Sequence, residues 1–407
     1  MIVTKIIKFY FNIFKIMKDI KAVFDIGNDT IKWVVFANDD WKDVILVKQV
    51  EPTKWMRKWK ILDSEEFANT IYKITEWFIK KLWWDFIDEV FVSISHPEFL
   101  VQRVVEQKRV MKEKIEVEDV EHLSRIIADI WTKNNYETIK IIPVHRIIDW
   151  HKKEKDPIWL QWKRLELVAD VFMIPKNLYN SLIEAFDRVD LNVSDIVPNI
   201  ISASEIALDY DHKDLWTVLI DIWKNQTSYV IYEDWYPLWY GNLPIGWEDV
   251  TKDISIWLQV DIKEAENIKK TKWYAILLSN EKQDDDWLDI HFLADIINAR
   301  YEEIFNKIND HLIKLEKDWR LPWWVLLIWW WAKMTNLDIL AKDIFKLATF
   351  YGKDNQLNLW DLSTNIQFIN VLWTYVWSNK YTEWRKSNFK LNFNVFSKVG
   401  KFFKDLF

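Results

Sequence analysis

Short apolar runs alternate along the chain with segments whose apolar residues recur every three or four positions. The apolar runs predict strands at 20–26, 31–37, 43–50 and 89–95, and a second set at 216–222, 227–233 and 236–243. The three-and-four spacing predicts helices near 64–83, 117–131, 247–258, 263–270, 290–316, 333–346 and 363–378. Residues 98–178 alternate further strands and helices between the two sets. The pattern predicts an α/β protein with two similar strand-rich halves.

The composition contains an anomaly that changes how this pattern is interpreted. The 407 residues include 29 Trp and only 5 Gly, whereas an average glycine content of about 7% gives roughly 28 glycines. Certain bacterial lineages translate the codon UGA as glycine, and a translation that gives tryptophan instead produces this signature. We therefore expect many of the written tryptophans to be glycines.

Several written tryptophans lie where the backbone needs glycine. The segment 321–332 holds five of them around an apolar run and contains three in succession at 329–331. A buried indole needs a partner for its N–H, which disfavours such a series. Read as glycine, the segment predicts a strand, a loop and a helix, in which backbone N–H groups can approach phosphates. Asp40-Trp41 and Asp234-Trp235 then become Asp-Gly hairpin turns. The literal alternative is a Trp-rich surface that binds carbohydrate or membrane.

Cysteine content, charge and hydropathy exclude several classes of protein. The chain has no Cys, which excludes a disulfide framework and thiol chemistry. Its net charge of −7 argues against general nucleic-acid binding, so we expect no nucleic-acid partner. The chain has no uncharged apolar stretch of about 20 residues, so the sequence predicts no membrane-spanning helix.

The two ends of the chain differ from its middle. Residues 1–19 form a basic, apolar extension that either lies on a membrane surface or precedes a translation start at Met17. Residues 379–394 are polar and without periodicity, which predicts a linker. Residues 395–407 predict an amphipathic membrane-targeting helix with the apolar positions Phe396, Val399, Phe402, Phe403, Leu406 and Phe407. The alternative is a helix that packs on its own domain.

Two loops, one in each half, share a pattern in which an apolar strand ends in Asp-x-Gly. They are Asp25-Ile26-Gly27 and, with tryptophan read as glycine, Asp221-Ile222-Trp223. Together with the loop at 329–331 they resemble the actin/Hsp70/sugar-kinase superfamily. Within it the chain resembles FtsA, the bacterial cell-division actin homologue, at segments 53–63, 89–95, 156–166 and 244–254.

The resemblance implies an actin-like, two-lobed α/β ATPase fold with duplicated nucleotide-binding halves and an FtsA-type extra subdomain. The first lobe would combine 20–97, 179–213 and 361–378, and the extra subdomain would be 98–178. The second lobe would have its base at 214–252 and 320–360 and its upper subdomain at 253–319.

The resemblance also implies a site for ATP and Mg²⁺ between the lobes. Asp25 and Asp221 would orient the hydrated Mg²⁺ through water. The nucleotide would contact the two loops, the turn before the helix at 247, a helical Glu–Lys pair and the late loop, which contain Gly27, Asn28, Asp29, Thr30, Trp223, Lys224, Asn225, Gln226, Thr227, Gly246, Trp247, Glu266, Lys269, Trp329, Trp330 and Trp331. For Glu266 and Lys269 the alternative is a solvated helix face.

Departures from the family pattern bear on hydrolysis. Lys224, Asn225, Gln226 and Ser228 replace residues of the family's second phosphate loop. Asn199 aligns with a carboxylate that could orient the attacking water in related ATPases. An amide cannot accept a proton, so we expect ATP to bind and to be hydrolysed slowly or not at all, and we assign no catalytic residue.

The implied function is that of an ATP-binding, filament-forming adaptor that tethers the FtsZ ring to the inner membrane, on its cytoplasmic face at the division septum. The expected partners are the acidic C-terminal tail of FtsZ, further copies of the chain and inner-membrane lipid. Arg300 would pair with a carboxylate of the tail, unless it is an ordinary solvated side chain. The alternatives are a pilus-assembly actin-like scaffold and a small-molecule kinase of the same superfamily.

Overall fold

The sheets and helices are arranged in two halves with an additional subdomain. The computed structural model describes residues 18–39, 42–57, 59–82, 87, 89–109, 114–131, 133–149, 152–154, 160, 163–272, 274–277, 289–315, 324–328, 334–352 and 368–388. These residues form two five-stranded sheets, one four-stranded sheet and one two-stranded sheet. Three separate clusters of buried apolar side chains accompany the three larger sheets.

The first sheet begins with an antiparallel meander of β1 (Lys18–Ile26), β2 (Thr30–Asp39) and β3 (Lys42–Pro52). A small hairpin of β4 (Met56–Arg57) and β5 (Lys60–Ile61) follows. β6 (Glu89–Ile94) and β11 (Val193–Pro198) extend the sheet in parallel, which gives the order β11-β6-β1-β2-β3. The central β1 is buried on both faces, which explains its continuous apolar run.

The second sheet repeats this topology. Its meander is β12 (Thr217–Ile222), β13 (Thr227–Glu233) and β14 (Tyr236–Leu243), and its parallel strands are β15 (Trp324–Ile328) and β16 (Ala348–Tyr351). The order β14-β13-β12-β15-β16 is that of the first sheet read from the opposite edge. The prediction of two similar strand-rich halves is confirmed.

The extra subdomain contains β7 (Leu100–Arg109), α2 (Val117–Ile130), β8 (Tyr136–Ile148), β9 (Lys152–Glu154) and β10 (Arg164–Pro175). The sheet order is β7-β10-β8-β9 and α2 covers one face, so the subdomain has its own core. Arg103 joins it to the second lobe, because the guanidinium binds Asp170 through two hydrogen bonds of 2.8 Å and also contacts the carbonyl of Pro237 on β14.

Helices cover both main sheets. Around the first sheet lie α1 (Ser64–Leu82), α3 (Lys176–Asp187), α4 (Asn199–Ala207) and α10 (Ile369–Asn388), and the short α5 (Tyr210–Asp214) precedes the second half. Around the second lie α6 (Trp247–Leu258), α7 (Ile262–Thr271), α8 (Ile290–Lys314) and α9 (Leu337–Phe345). No helix within the described ranges is long and apolar enough to cross a membrane.

Two helix boundaries differ from the sequence prediction. α10 continues to Asn388. The prediction that a linker starts at 379 is therefore wrong for residues 379–388. Extending a helix whose first turns are already packed costs little, which is why a polar sequence can remain helical there. α9 starts at Leu337 because Asn336 is left-handed, with a φ of 66°. The predictions for 1–17, 156–159, 329–331 and 395–407 lie outside the described residues.

Candidate functional site

The central strands of the two sheets end at equivalent aspartates, Asp25 on β1 and Asp221 on β12. Two residues beyond each aspartate the chain makes the same turn. The Gly27 N–H donates to the carbonyl of Thr30 at 3.1 Å, and the Trp223 N–H donates to the carbonyl three residues further on at 2.8 Å. The halves therefore place the same loop at the same position, with glycine in one and written tryptophan in the other.

Asp25 is held by a full set of hydrogen-bond donors and is only 2% exposed. Lys32 Nζ lies 3.1 Å from its Oδ2, and Asn370 Nδ2 donates to the same oxygen at 3.2 Å. Ser93 Oγ and Asn199 Nδ2 donate to Oδ1, each at 3.4 Å. The Lys32 ammonium and the Asp25 carboxylate form a direct ion pair.

Asp221 has a much poorer set of partners and is fully buried. Its Oδ2 accepts from the indole N–H of Trp223 at 2.5 Å, and its Oδ1 has no hydrogen-bond partner among the described residues. Burial raises the pKa of Asp221 to about 8, the indole N–H lowers it, and the nearby charge of Asp25 raises it further. A cation beside the two carboxylates would reverse this shift.

Other buried oxygens of the site also lack partners within the described part of the chain. They are Asn199 Oδ1, Gln226 Oε1 and Asn370 Oδ1, and two of them belong to side chains that donate to Asp25. A buried acceptor without a donor is costly, and the water shell of a hydrated Mg²⁺ supplies donors of this kind. The residues present therefore fit a hydrated divalent cation.

The first loop is supported from behind by the segment after β3. Thr53 donates its N–H to the Asp29 carbonyl at 2.9 Å and its hydroxyl to the Asn28 carbonyl at 2.7 Å. The Asn28 side-chain oxygen accepts from the backbone N–H of Trp59 at 2.9 Å. A side chain at Gly27 would place Cβ 3.0 Å from the Thr30 carbonyl. The loop is thus fixed by its own protein contacts.

The second loop is supported by the start of α6. Trp247 and Glu248 donate their N–H groups to the carbonyls of Trp223 and Lys224 at 3.0 and 2.9 Å. A Cβ at Gly246 would lie 2.2 Å from the Trp223 carbonyl, so only glycine fits this approach. The structure therefore places Gly246 and Trp247 behind the loop as its support.

Three further side chains of the second loop are engaged by protein. Asn225 Nδ2 donates to Glu248 Oε2 at 2.5 Å. The Gln226 amide contacts the Ser95 hydroxyl of the first lobe, and the Thr227 hydroxyl donates to a backbone carbonyl of the turn before α6 at 2.9 Å. The polar atoms of the loop that make none of these contacts, together with the loop backbone, are available to bind a ligand.

Lys224 forms an ion pair with the other lobe. Its Nζ lies 2.6 Å from Asp29 Oδ2 in the first loop and 3.3 Å from Glu248 Oε1 at the start of α6. Although burial lowers the pKa of Lys224, the contacts with these two carboxylates raise it overall. The ammonium is therefore charged and bridges the two loops.

Glu266 and Lys269 form an ion pair on α7 in which Lys269 is buried, so the solvated helix face considered from sequence is wrong for Lys269. The Lys269 side chain is fully buried, with Nζ 2.5 Å from Glu266 Oε2 and in contact with the Thr251 hydroxyl. Burial lowers the pKa of Lys269 to about 8, although Glu266 raises it. The partly exposed Glu266 carboxylate can meet a polar ligand, and the buried Lys269 ammonium holds it in place.

Arg300 lies in a groove between α6 and α8, away from the two aspartates. Its guanidinium binds both oxygens of Asp253, at 2.7 and 2.9 Å, and Glu303 at 2.5 Å. The groove is lined by Asp253, Trp257, Phe292, Asp295, Ile296, Ala299, Arg300 and Glu303. Acidic residues outnumber Arg300 there, so the guanidinium already has carboxylate partners within the chain.

Sequence reasoning missed three partners of Asp25, namely Lys32, Ser93 and Asn370. The register of the first hairpin pairs Asp25 directly with Lys32, and that of β6 pairs it with Ser93. The hairpin spacing could have indicated Lys32, because opposed residues of an antiparallel pair lie on the same face. No local pattern indicates Asn370, which approaches from α10.

Two written tryptophans adopt a backbone conformation that favours glycine. Trp235 has a φ of 74° and follows Asp234 at 48°, which is the geometry of a type I′ hairpin turn. Trp59 has a φ of 64°. The buried indole N–H groups of Trp55 and Trp59 have no hydrogen-bond partner among the described residues. Left-handed backbone is unusual for a bulky side chain.

Sequence comparisons identify one family. The family model described as "Cell division protein FtsA" matches residues 218–366. The FtsA of Bacillus subtilis is 25% identical over 357 residues, which are 83% of this chain and 79% of that protein. The FtsA of Enterococcus hirae is 28% identical over 247 residues, 58% of this chain and 55% of that protein. The resemblance to the FtsA family is confirmed.

Solved structures confirm the fold class. A PilM–PilN type IV pilus biogenesis complex chain has a TM-score of 0.60 at 14% identity, covering 88% of this chain and 97% of that chain. MreB5 of Spiroplasma citri bound to AMPPNP has a TM-score of 0.51 at 11% identity, covering 91% and 99%. The chain has an actin-like two-lobed fold.

Proposed function

We propose that this FtsA-like chain is an ATP-binding cell-division protein that polymerises and tethers the FtsZ ring to the cytoplasmic face of the inner membrane. The observation that carries the nucleotide site is the pair of equivalent buried aspartates, of which Asp221 has one oxygen without a hydrogen-bond partner among the described residues. The similarity to FtsA carries the cell-division role.

The site residues divide between the ion, the phosphates and the nucleoside. Asp25 and Asp221 would hold hydrated Mg²⁺, and the loops at 27–30 and 223–227 would surround the phosphates, with the Lys32 ammonium near the first loop. Glu266 and Lys269 would face ribose and adenine, and residues 329–331, as glycines, would pass beneath the adenosine. When bound, Mg²⁺ neutralises phosphate charge.

The side chain at 199 favours binding over turnover. Asn199 is 3% exposed and its amide donates to Asp25, so its amide position is fixed beside the carboxylate. An amide does not take a proton from water, and we expect at most slow hydrolysis. A phosphate-release assay that shows rapid turnover would reject this expectation. Turnover stimulated by a small substrate would instead favour the kinase alternative.

Residue 223, in the second phosphate loop, is one of several written tryptophans at which the backbone turn favours glycine. We propose glycine at 59, 223 and 235, because two of these residues have left-handed backbone and the third repeats the turn of Gly27. With glycine at 223 no indole N–H is present to donate to Asp221 Oδ2. We extend the same proposal to 329–331 on the sequence pattern alone.

The apolar helix at 395–407 would provide the membrane anchor. Partial burial of its phenylalanines gives weak binding for one copy, since a fully buried large apolar side chain contributes about 1.5–3 kcal/mol, and a filament would add avidity. Vesicles of phosphatidylglycerol and phosphatidylethanolamine should sediment the full chain with ATP and FtsZ. Removal of 395–407 should abolish this. Unchanged sedimentation would favour the pilus-assembly alternative.

The groove at Arg300 is the proposed site for the FtsZ tail. Because Arg300 is already paired with Asp253 and Glu303, the apolar side chain of Phe292, which is 41% exposed, would contribute much of the contact. Arg300→Glu and Phe292→Ala should both weaken binding of a tail peptide. Lys314→Glu is a matched control on the same helix, since Lys314 is exposed at the far end of α8 and does not line the groove. Equal binding by all variants would remove this site.

A further inference from the structure

The two phosphate loops are joined by charge across the gap between the lobes. Asp29 follows β1 in the first lobe, whereas Lys224 follows β12 in the second, and their charged atoms are 2.6 Å apart. Lys224 also contacts Glu248 at 3.3 Å, within its own lobe. We refer to the three side chains as the clasp.

The clasp is supported on both sides by backbone contacts. The Asp29 carbonyl accepts from the Thr53 N–H at 2.9 Å, and the Lys224 carbonyl accepts from the Glu248 N–H at 2.9 Å. Neither loop needs to move for the side chains to meet. The lysine side chain is about one-third exposed, at 36%, and Asp29 is 45% exposed, so the ion pair can exchange partners with a solute.

We propose that the clasp is a phosphate sensor in which Lys224 exchanges Asp29 for the terminal phosphate of a nucleoside triphosphate. The proposal rests on the proposed nucleotide site. Without ligand, Lys224 holds the two loops together. A terminal phosphate close to Asp29 would be repelled by that carboxylate, and the lysine is the cation placed to compensate it.

Lys224 gives the second phosphate loop a charge that backbone N–H groups alone do not supply. A Gly-rich loop binds phosphate by backbone N–H groups and gives no charge-based preference for one phosphate chain length. Lys224 adds a point charge on a flexible stem. In the proposed site the terminal phosphate of a triphosphate would reach this charge, whereas that of a diphosphate would lie one phosphate unit further away.

Substitutions at the two ends of the ion pair are expected to change ATP affinity in opposite directions. Lys224→Ala should weaken ATP binding about tenfold, in line with the loss of one charge-assisted contact, and should change ADP binding less than twofold. Asp29→Asn removes the competing carboxylate, so it should strengthen ATP binding severalfold. A purely structural ion pair would give changes of the same sign for both variants.

Lys252→Ala is the matched control. Lys252 also contacts Glu248, at 3.7 Å, and Asp249 at 2.9 Å, but both partners lie on α6 in its own lobe. It should leave ATP and ADP affinities unchanged. Affinities are measured by calorimetric titration of the full chain with Mg-ATP and Mg-ADP.

A second measurement needs no nucleotide. The chain has no Cys, so Glu65→Cys in the first lobe and Lys263→Cys in the second give unique spin-label sites, and both positions are exposed. In the ligand-free protein Lys224→Ala should broaden and lengthen the interlobe distance distribution, and Lys252→Ala should not.

The outcomes separate the two proposals. A wild-type chain that binds no nucleotide overturns the proposed function and the sensor with it. A wild-type chain that binds ATP while Lys224→Ala weakens ATP and ADP equally, or while Asp29→Asn weakens ATP, overturns the sensor alone. An unchanged interlobe distance in Lys224→Ala also contradicts the clasp.

Discussion

The two aspartate loops have the same backbone turn and opposite environments. Asp25 binds a lysine, two amides and a hydroxyl, whereas the described partner of Asp221 is the indole of Trp223. The hairpin position that holds Lys32 in the first half holds Ser228 in the second. Duplication preserved the strand ends and the turn while the side chains around them diverged.

This difference indicates that Asp25 and Asp221 have different roles. The first half supplies a carboxyl group, Asp25, that is paired with Lys32 and bound by three further side-chain donors of the protein. The second half supplies a carboxyl group whose burial raises its pKa to about 8 and whose Oδ1 has no hydrogen-bond partner within the described ranges. An unbalanced buried charge makes that half dependent on an added cation.

The largest expected contrast is in stability. Asp25→Ala leaves the Lys32 ammonium without its carboxylate and should lower the free energy of unfolding by about 3 kcal/mol. Asp221→Asn replaces a poorly satisfied carboxyl by a neutral side chain of equal size and should leave it within about 1 kcal/mol. Urea denaturation without nucleotide measures both. Similar losses of stability in the two variants would contradict the different roles of the two aspartates.

The next effect concerns ligand binding, in which the Asp221 variant, nearly neutral for stability, has the large effect. Asp221→Asn should weaken Mg-ATP binding by about 2 kcal/mol, or about thirtyfold, because one anionic anchor of the hydrated ion is lost. Calorimetric titration with and without Mg²⁺ measures the loss, which should be confined to the magnesium condition. Asp295→Asn, at an acidic position in the distant groove, is the control. An unchanged affinity of Asp221→Asn would exclude a role in holding the ion.

A smaller effect is expected from the residue that distinguishes the loops. In a chain made with tryptophan at 223, Trp223→Gly should strengthen Mg-ATP binding by about 1 kcal/mol, or about fivefold, since the indole N–H no longer occupies Asp221. Trp216→Gly is the control for removal of an indole, since Trp216 lies at the opposite end of β12. Weaker binding in Trp223→Gly would show that the indole belongs to the site.

The last prediction is a pH dependence, which is measured as a slope. The folded-state pKa of Asp221 is raised to about 8 from an ordinary value of 3.8, so the folded protein retains a proton that the unfolded chain releases. This contribution to stability is complete below the ordinary pKa and is lost as pH rises towards 8. Melting temperatures of the ligand-free protein should therefore decline more steeply over this range in wild type than in Asp221→Asn. Parallel curves would contradict the raised pKa.

The strand ends could be predicted from sequence because their signal is local. A buried apolar run followed by Asp-x-Gly marks both the end of a central strand and a tight turn, and the register then fixes the aspartates at equivalent places. The helices of the second half were predicted for the same reason, with α6 observed at the expected residues.

The partners of the aspartates could not be predicted in this way. Asn370 and Asp25 are separated by 345 residues, and their contact depends on how α10 packs on the first sheet. The Lys224–Asp29 contact depends on how the lobes meet. Such contacts follow from tertiary packing, for which the periodicity of a single segment carries no information. The extension of α10 to Asn388 is a third case.

The central claim is that the second loop is the same glycine turn as the first, with its aspartate open to a cation. Mass spectrometry of the tryptic peptide 214–224 from protein purified from its own host tests this most directly, since that peptide contains residue 223. The account predicts a mass and fragment series with glycine at 223. Tryptophan at 223 would contradict it.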